Sequence, residues 1–173
     1  MVIFFKRKNI IFVSIMKKRS KRTLGRIEKV DFPELDLYGI EAKIDTGAYT
    51  SSIHCESVKS TIKEGQEYVT FTLLDAHHPL FHKKKFTLPL FAEKLIKNSF
   101  GQAESRYIIQ TKIILFEEVY ELELSLADRS LMDYPVLLGR KLLRKRFIVD
   151  VARNNCSHKY KMKQNENSGT KSK

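Results

Sequence analysis

The 173-residue chain has no tryptophan, two cysteines, four prolines and seven glycines. Two cysteines, Cys55 and Cys156, exclude a disulfide framework and a four-cysteine zinc site. The longest uninterrupted apolar run is Met1 to Phe5, far short of the roughly 20 residues a membrane-spanning helix needs. None of the glycines falls in a phosphate-cradling Walker pattern, and there is no His-Glu-x-x-His. ATP dependence therefore finds no support in these residues. The hydrophobic fraction, 42%, is that of a globular protein and too high for a disordered one.

The net charge of +12 sits at the ends of the chain. Residues 1–26 hold nine Lys or Arg and no acid, and residues 153–173 hold six against Glu166 alone. These tails carry +9 and +5, so the 126 residues between them sum to −2. A basic isoelectric point confined to the tails predicts no specific nucleic-acid binding; weak contact with a ribosome or an anionic membrane is what such tails offer. Residues 1–21 read as a basic, disordered extension, with Met16 an alternative start, on a cytoplasmic protein. Residues 153–173, rich in Lys, Asn and Ser, read as a second disordered tail.

Between the tails the apolar period is two more often than 3.6. Tyr68–Leu73, Arg106–Leu115 and Tyr120–Leu126 are rich in β-branched and aromatic residues or alternate cleanly. Phe86–Leu88 and Phe147–Val149 add shorter strands. Glu64-Gly65, His78-Pro79, Phe100-Gly101 and Asp133-Tyr134-Pro135 punctuate them as turns. The pattern predicts an all-β barrel or sandwich. One short helix follows Gly139, with Leu142 and Leu143 on its apolar side.

Two segments carry the chemistry. In Ala42-Lys43-Ile44-Asp45-Thr46-Gly47-Ala48 a strand delivers a carboxylate into a tight turn, where Gly47 permits close approach. In Val136-Leu137-Leu138-Gly139-Arg140 an apolar strand ends in glycine at a helix start. Either alone is commonplace. Together, in this order, they resemble the retroviral-type aspartic proteases, in which an apolar-apolar-Gly-Arg segment crosses behind an Asp-Thr-Gly-Ala loop. The surrounding text is most similar to a bacterial and archaeal branch long labelled "ATP-dependent zinc proteases" and associated with ATP-grasp glutamate ligases. The matching stretches are Gly25–Val30, Ala42–His54, Arg106–Thr111 and Leu126–Asp150.

The resemblance implies an all-β fold over residues 22–152, a closed barrel of the acid-protease type with one short helix. It implies an aspartic endopeptidase with Asp45, Thr46 and Gly47 in the catalytic loop. It makes Ala48, Arg106 and Arg140 substrate-binding, and the substrate a peptide or an acidic, glutamate-rich protein tail. Two carboxylates sharing one proton can both activate water and protonate a leaving group. The chain has a single Asp-Thr-Gly, so the second carboxylate must come from a second copy in a homodimer. A flap over the cleft is expected in Phe71–Phe86.

Other readings remain beside this one. His77, His78 and His82 cluster near Pro79, but strand neighbours point to opposite faces and would not share one zinc ion. The five histidines read as solvated loop residues, with no metal ligand and no cofactor expected. Cys55 follows His54 directly, and adjacency in sequence is not the spatial pairing that activates a thiol. Arg106, Arg129 and Arg140 have two uses, in structural ion pairs or as bidentate receptors for substrate carboxylates. A non-enzymatic binding module with basic tails, or a zinc-dependent protease as the branch label says, are the alternative functions.

Overall fold

In the computed structural model, which describes residues 20–97, 101 and 103–169, the alternating segments are strands. In chain order they are β1 (Arg22–Leu24), β2 (Ile27–Phe32), β3 (Leu37–Ile44), β4 (Ser51–Lys63), β5 (Gln66–Leu73), β6 (Lys85–Pro89) and β7 (Ala92–Lys97). After these come β8 (Ala103–Leu115), β9 (Glu118–Ala127), β10 (Val136–Leu138), helix α1 (Arg140–Leu143), β11 (Phe147–Val149) and helix α2 (Cys156–Gly169). The mostly-β expectation holds. Residues 1–19 of the expected N-terminal extension lie outside the described residues.

The alternation read from the sequence follows the pleat. In β9, Leu122, Leu124 and Leu126 point inward; in β3, Leu37, Ile40, Ala42 and Ile44 do. Strand β10 pairs with β3, β3 with β2, β2 with β8, β8 with β9, β9 with β4, and β4 again with β10. Six strands thus form a circuit of pairings around Phe32, Leu35, Ile40, Ile53 and Ile113, all fully buried. Two links in it are short: Asp31↔Ile114 between β2 and β8, and two residue pairs between β10 and β4. Strands β5 and β6 continue from β4, and β7 hangs from the N-terminal half of β8. A separate parallel pair joins β1 to β11.

Turn chemistry explains the hairpins unevenly. Glu64 and Gly65 both have positive φ and close the β4–β5 hairpin, the two-residue turn that matches strand twist. The β8–β9 hairpin uses the same backbone at Phe116 (φ 54) and Glu117 (φ 61), without glycine or asparagine. Packing holds Phe116 there. Its ring stacks on Phe147 at 6.3 Å, meets Tyr160 edge-on and lies under the Arg22 guanidinium.

The C-terminal segment corrects the sequence reading. Residues 156–169 are helix α2, a second α-helix among the described residues where the sequence was read as a disordered tail. Its polar composition hides a specific dock. Glu28 on β2 is fully buried; its carboxylate accepts the Gly25 N–H (2.6 Å) and, at the start of α2, the N–H groups of Cys156 (3.0 Å) and Ser157 (2.9 Å). The first turn of a helix has unpaired N–H groups, and a carboxylate there satisfies them and the helix dipole together. Ser157 Oγ then accepts the Phe116 N–H, and Lys161 pairs with Asp31 at 2.9 Å. Gly25 permits the approach: a Cβ there would lie 2.3 Å from the Arg153 carbonyl oxygen.

Glu28→Gln keeps the shape of the side chain but turns one acceptor into a donor facing a helix N–H. The expected result is a loss of about 1–3 kcal/mol in urea unfolding, the cost of leaving a buried donor unsatisfied. Residues 156–169 become sensitive to limited proteolysis before the β core does.

Candidate active site

Strand β3 ends at Ile44 and hands Asp45 to the loop. The Ile44 N–H donates to the Arg26 carbonyl (2.9 Å) and the Asp45 N–H to that of Leu138 (3.0 Å). Beyond it the chain folds back on the carboxylate: Gly47 and Ala48 N–H groups donate to Asp45 Oδ1 at 2.8 and 3.0 Å. This is the Asx-type turn that an aspartate makes with the backbone two and three residues on. Oδ2 has no protein partner among the described residues. One oxygen of the half-buried carboxylate is fixed and the other is not.

The segment after Pro135 crosses behind this loop, as the resemblance implied. Strand β10 lies between β3 (Leu138↔Ile44) and β4 (Val136↔Ile53). The Gly139 N–H donates to Ser51 Oγ (3.1 Å), that of Arg140 to the Ala48 carbonyl (2.8 Å) and that of Lys141 to the Tyr49 carbonyl (3.0 Å). The first turn of α1 thus clasps the Asp45 loop with the N–H groups a helix start leaves unpaired. Glycine is required at 139 because a Cβ there would sit 2.8 Å from the Thr50 carbonyl.

Asp45 opens into a cleft of about 910 Å³. Lys43, Lys94, Lys97, Arg106, Arg129 and Arg140 line it, against Asp45 and Asp133 as the acids. Gly47 and Ala48 are in its wall; Thr46 is exposed on the same loop. Arg106, on β8, pairs with Glu104 at 2.6 Å. Arg129 donates from Nε to the Tyr134 carbonyl (3.2 Å) and from Nη1 to Ser52 Oγ (3.2 Å), so its structural use and its place in the cleft coexist. Burial lowers the Arg129 pKa, Arg106 adds to that, and Asp45 opposes it. The Ser125 hydroxyl, in the cleft wall, is buried with no hydrogen-bond partner among the described residues.

Three features of the site were not anticipated. Strand β7 supplies Lys94, Leu95, Ile96 and Lys97 to the cleft, and nothing from Phe71–Phe86 lines it. Phe71 and Phe86, the ends of the expected flap segment, are paired across β5 and β6 and stacked at 5.8 Å, both buried. His54 is buried and not solvated. Its Nδ1 accepts the Arg129 N–H (2.8 Å), which places the proton of the neutral ring on Nε2, 3.6 Å from Asp75. Cys55 is also buried, and burial pushes its thiol pKa up to about 12, so no thiolate nucleophile forms at neutral pH.

A zinc ion, implied by the branch label, finds no fit. Among the described residues no three His, Cys, Asp or Glu side chains converge as ligands. His78 Nδ1 accepts the Leu80 N–H, and His82 packs against Phe86.

Comparison with known proteins agrees with this geometry. Curated relatives named "Probable alpha-L-glutamate ligase" are 36% identical over 137 residues in Desulfotalea psychrophila and 35% over 141 residues in Shewanella pealeana. These matches cover 77% and 79% of the chain but 29% and 30% of those proteins, so the chain spans about a third of the length of the curated relatives it matches. A crystal structure of a Legionella pneumophila protein of unknown function superposes with a TM-score of 0.65 at 24% identity, over 80% of this chain and 99% of that one. A family model described as retropepsin-like aspartic endopeptidase RimB matches residues 23–160, which take in the strands, the Asp45 loop, the clasp and the start of α2. The chain belongs to this RimB-like family of retropepsin-like proteins.

Proposed function

We propose that the chain is an aspartic endopeptidase, acting as a homodimer on acidic peptide segments. The observation that carries this reading is the state of Asp45. Oδ1 is pinned by two backbone N–H groups and Oδ2 has no protein partner among the described residues, in a cleft of about 910 Å³. The circuit of strands around the core is read as the acid-protease barrel that presents it.

One carboxylate cannot be both base and acid in the same step. A second copy supplies the other Asp45, with Thr46 on the exposed loop holding the two loops in register. Apolar residues suit that contact: Tyr49 and Met132 in the cleft rim are more than half exposed, and neighbouring Leu131 is 96% exposed. Like charges at close range cannot both ionise, so the pair holds one proton. The ionised carboxylate takes a proton from the water as its oxygen attacks the peptide carbonyl carbon. The protonated one gives its proton to the carbonyl oxygen. Collapse of the tetrahedral species then breaks the C–N bond as the nitrogen takes a proton, leaving a carboxylic acid and an amine.

Substrate charge follows from the cleft wall, where six cationic side chains face two acids. Arg140 is read as a receiver of substrate carboxylates, as guanidinium forks are, and Arg106 as one that exchanges Glu104 for the substrate. The relatives named as glutamate ligases point the same way. This chain matches under a third of their length, and a peptidase segment within such proteins fits one acting on glutamate-bearing chains.

The test compares a glutamate-tailed peptide with neutral peptides of equal length. The acidic peptide is expected to have a kcat/KM about tenfold or more higher, falling as salt screens the cleft. EDTA is expected to leave the rate unchanged. Loss of cleavage on chelation, with recovery on added zinc, would return the metal reading.

A further inference from the structure

One carboxylate outside the Asp45 loop joins a strand of the cleft lining, β7, to α1, the helix whose first residue, Arg140, also lines the cleft. Glu123 sits on the outer side of β9, with its side chain 9% exposed. Lys94 Nζ, from β7, donates to its Oε2 at 2.9 Å, and Lys141 Nζ, from α1, donates to its Oε1. Lys94 is in the cleft lining. Lys141 is in the clasp, its own N–H holding the Tyr49 carbonyl beside the catalytic loop. Strand β7 pairs with nothing but β8 among the described strands, so this double ion pair is a second tether on that wall. Burial pushes the Glu123 carboxyl up, but Lys141 and Lys94 outweigh it and hold the group below the usual carboxylate range. It stays ionised at neutral pH.

We propose that Glu123 is a positioning residue that fixes the place of β7 in the Asp45 cleft by tying that strand to α1. The inference rests on the cleft being the peptide site. Charge-assisted bonds of this kind are worth more than neutral ones and are geometrically selective. A loosened β7 misplaces an extended substrate over Asp45 without removing a group that binds it.

The test is Glu123→Gln, which keeps the size and removes the charge. Amide hydrogen exchange in residues 92–97 is expected to rise about tenfold, with β5 and β6 unchanged. In peptide hydrolysis kcat is expected to fall about tenfold, the usual order for a misaligned site. KM for an acidic peptide stays level or falls, because no group of the cleft lining is removed and Lys94, which does line it, loses its anionic partner. Lys141→Met, which cuts the same tether from the other end, is expected to reproduce the kcat loss.

Unchanged exchange in β7 overturns the proposal, and so does equal acceleration of β5, β6 and β7, which reports general destabilisation. A raised KM at constant kcat also overturns it, as that marks substrate binding. If the wild-type chain cleaves no peptide, the hydrolase reading falls, and the exchange comparison still decides whether Glu123 tethers β7.

Discussion

Asp45→Asn is expected to abolish peptide hydrolysis while leaving the fold intact. The asparagine amide keeps an oxygen where Oδ1 now accepts the Gly47 and Ala48 N–H groups, so the loop retains its Asx-type turn. Thermal unfolding should shift by no more than about 2 °C, since no buried bond is lost. What disappears is the ability to take and return a proton. A positioned acid–base group contributes about 10²–10⁴ in rate, and here the substitution removes it from both halves of the site. The expected loss is at least about 10³-fold in kcat, with KM little changed because the cationic wall is untouched. A variant that keeps a tenth of the activity, on a purified and folded sample, is incompatible with Asp45 as the reacting carboxylate.

The second large effect comes from a position with no reactive group. Gly139→Ala is expected to damage both stability and catalysis. The backbone at 139 has φ −90° and ψ 172°, which alanine adopts freely, so conformational preference is not the issue. Space is: the new methyl would fall 2.8 Å from the Thr50 carbonyl carbon and oxygen and 2.9 Å from the Tyr49 carbonyl oxygen. These are backbone atoms in the segment that leads out of the catalytic loop, and they cannot rotate aside. Either β10 or the loop must move, breaking the bonds from Gly139, Arg140 and Lys141 that clasp it. Overpacking of this kind costs about 1–3 kcal/mol. The displacement reaches Asp45 directly, and a shift on the order of 1 Å at a reacting group costs about 10²-fold in rate. Urea unfolding and peptide hydrolysis on the same preparation measure both. Wild-type values in the two assays would show that the clasp yields without consequence.

Local pattern carried the parts of the fold built from local rules. Strands β5, β8 and β9 followed from alternation and β-branched residues, and α1 from the glycine before two buried leucines. Asp45 and Gly139 were legible because each lies in a short motif whose neighbours are contiguous. Features that depend on distant partners were not legible. Helix α2 looks like a solvated tail because its docking needs only a few residues, chiefly Ser157, Tyr160 and Lys161. Its cap, Glu28, lies more than 120 residues earlier. The Phe116-Glu117 turn carries no glycine signal; tertiary packing by Phe147, Tyr160 and Arg22 imposes the positive φ. The flap was placed by sequence order alone: Phe71–Phe86 follows the Asp45 loop in the chain, but none of its residues lines the cleft, and the strand that reaches it is β7. Glu123 gave no signal at all, being one acid among several in an alternating strand whose two lysines come from other elements.

The central claim is that the reacting pair is two copies of Asp45 from two chains. Mixing wild-type chains with an excess of Asp45→Asn chains, under conditions where subunits exchange, tests it most directly. If each site needs one carboxylate from each copy, mixed dimers are dead. Activity per wild-type chain then falls in proportion to the wild-type fraction, to about one tenth at a ninefold excess of the variant. Activity per wild-type chain that stays constant across the whole mixing range would contradict the account, because each chain would then hold a complete site of its own.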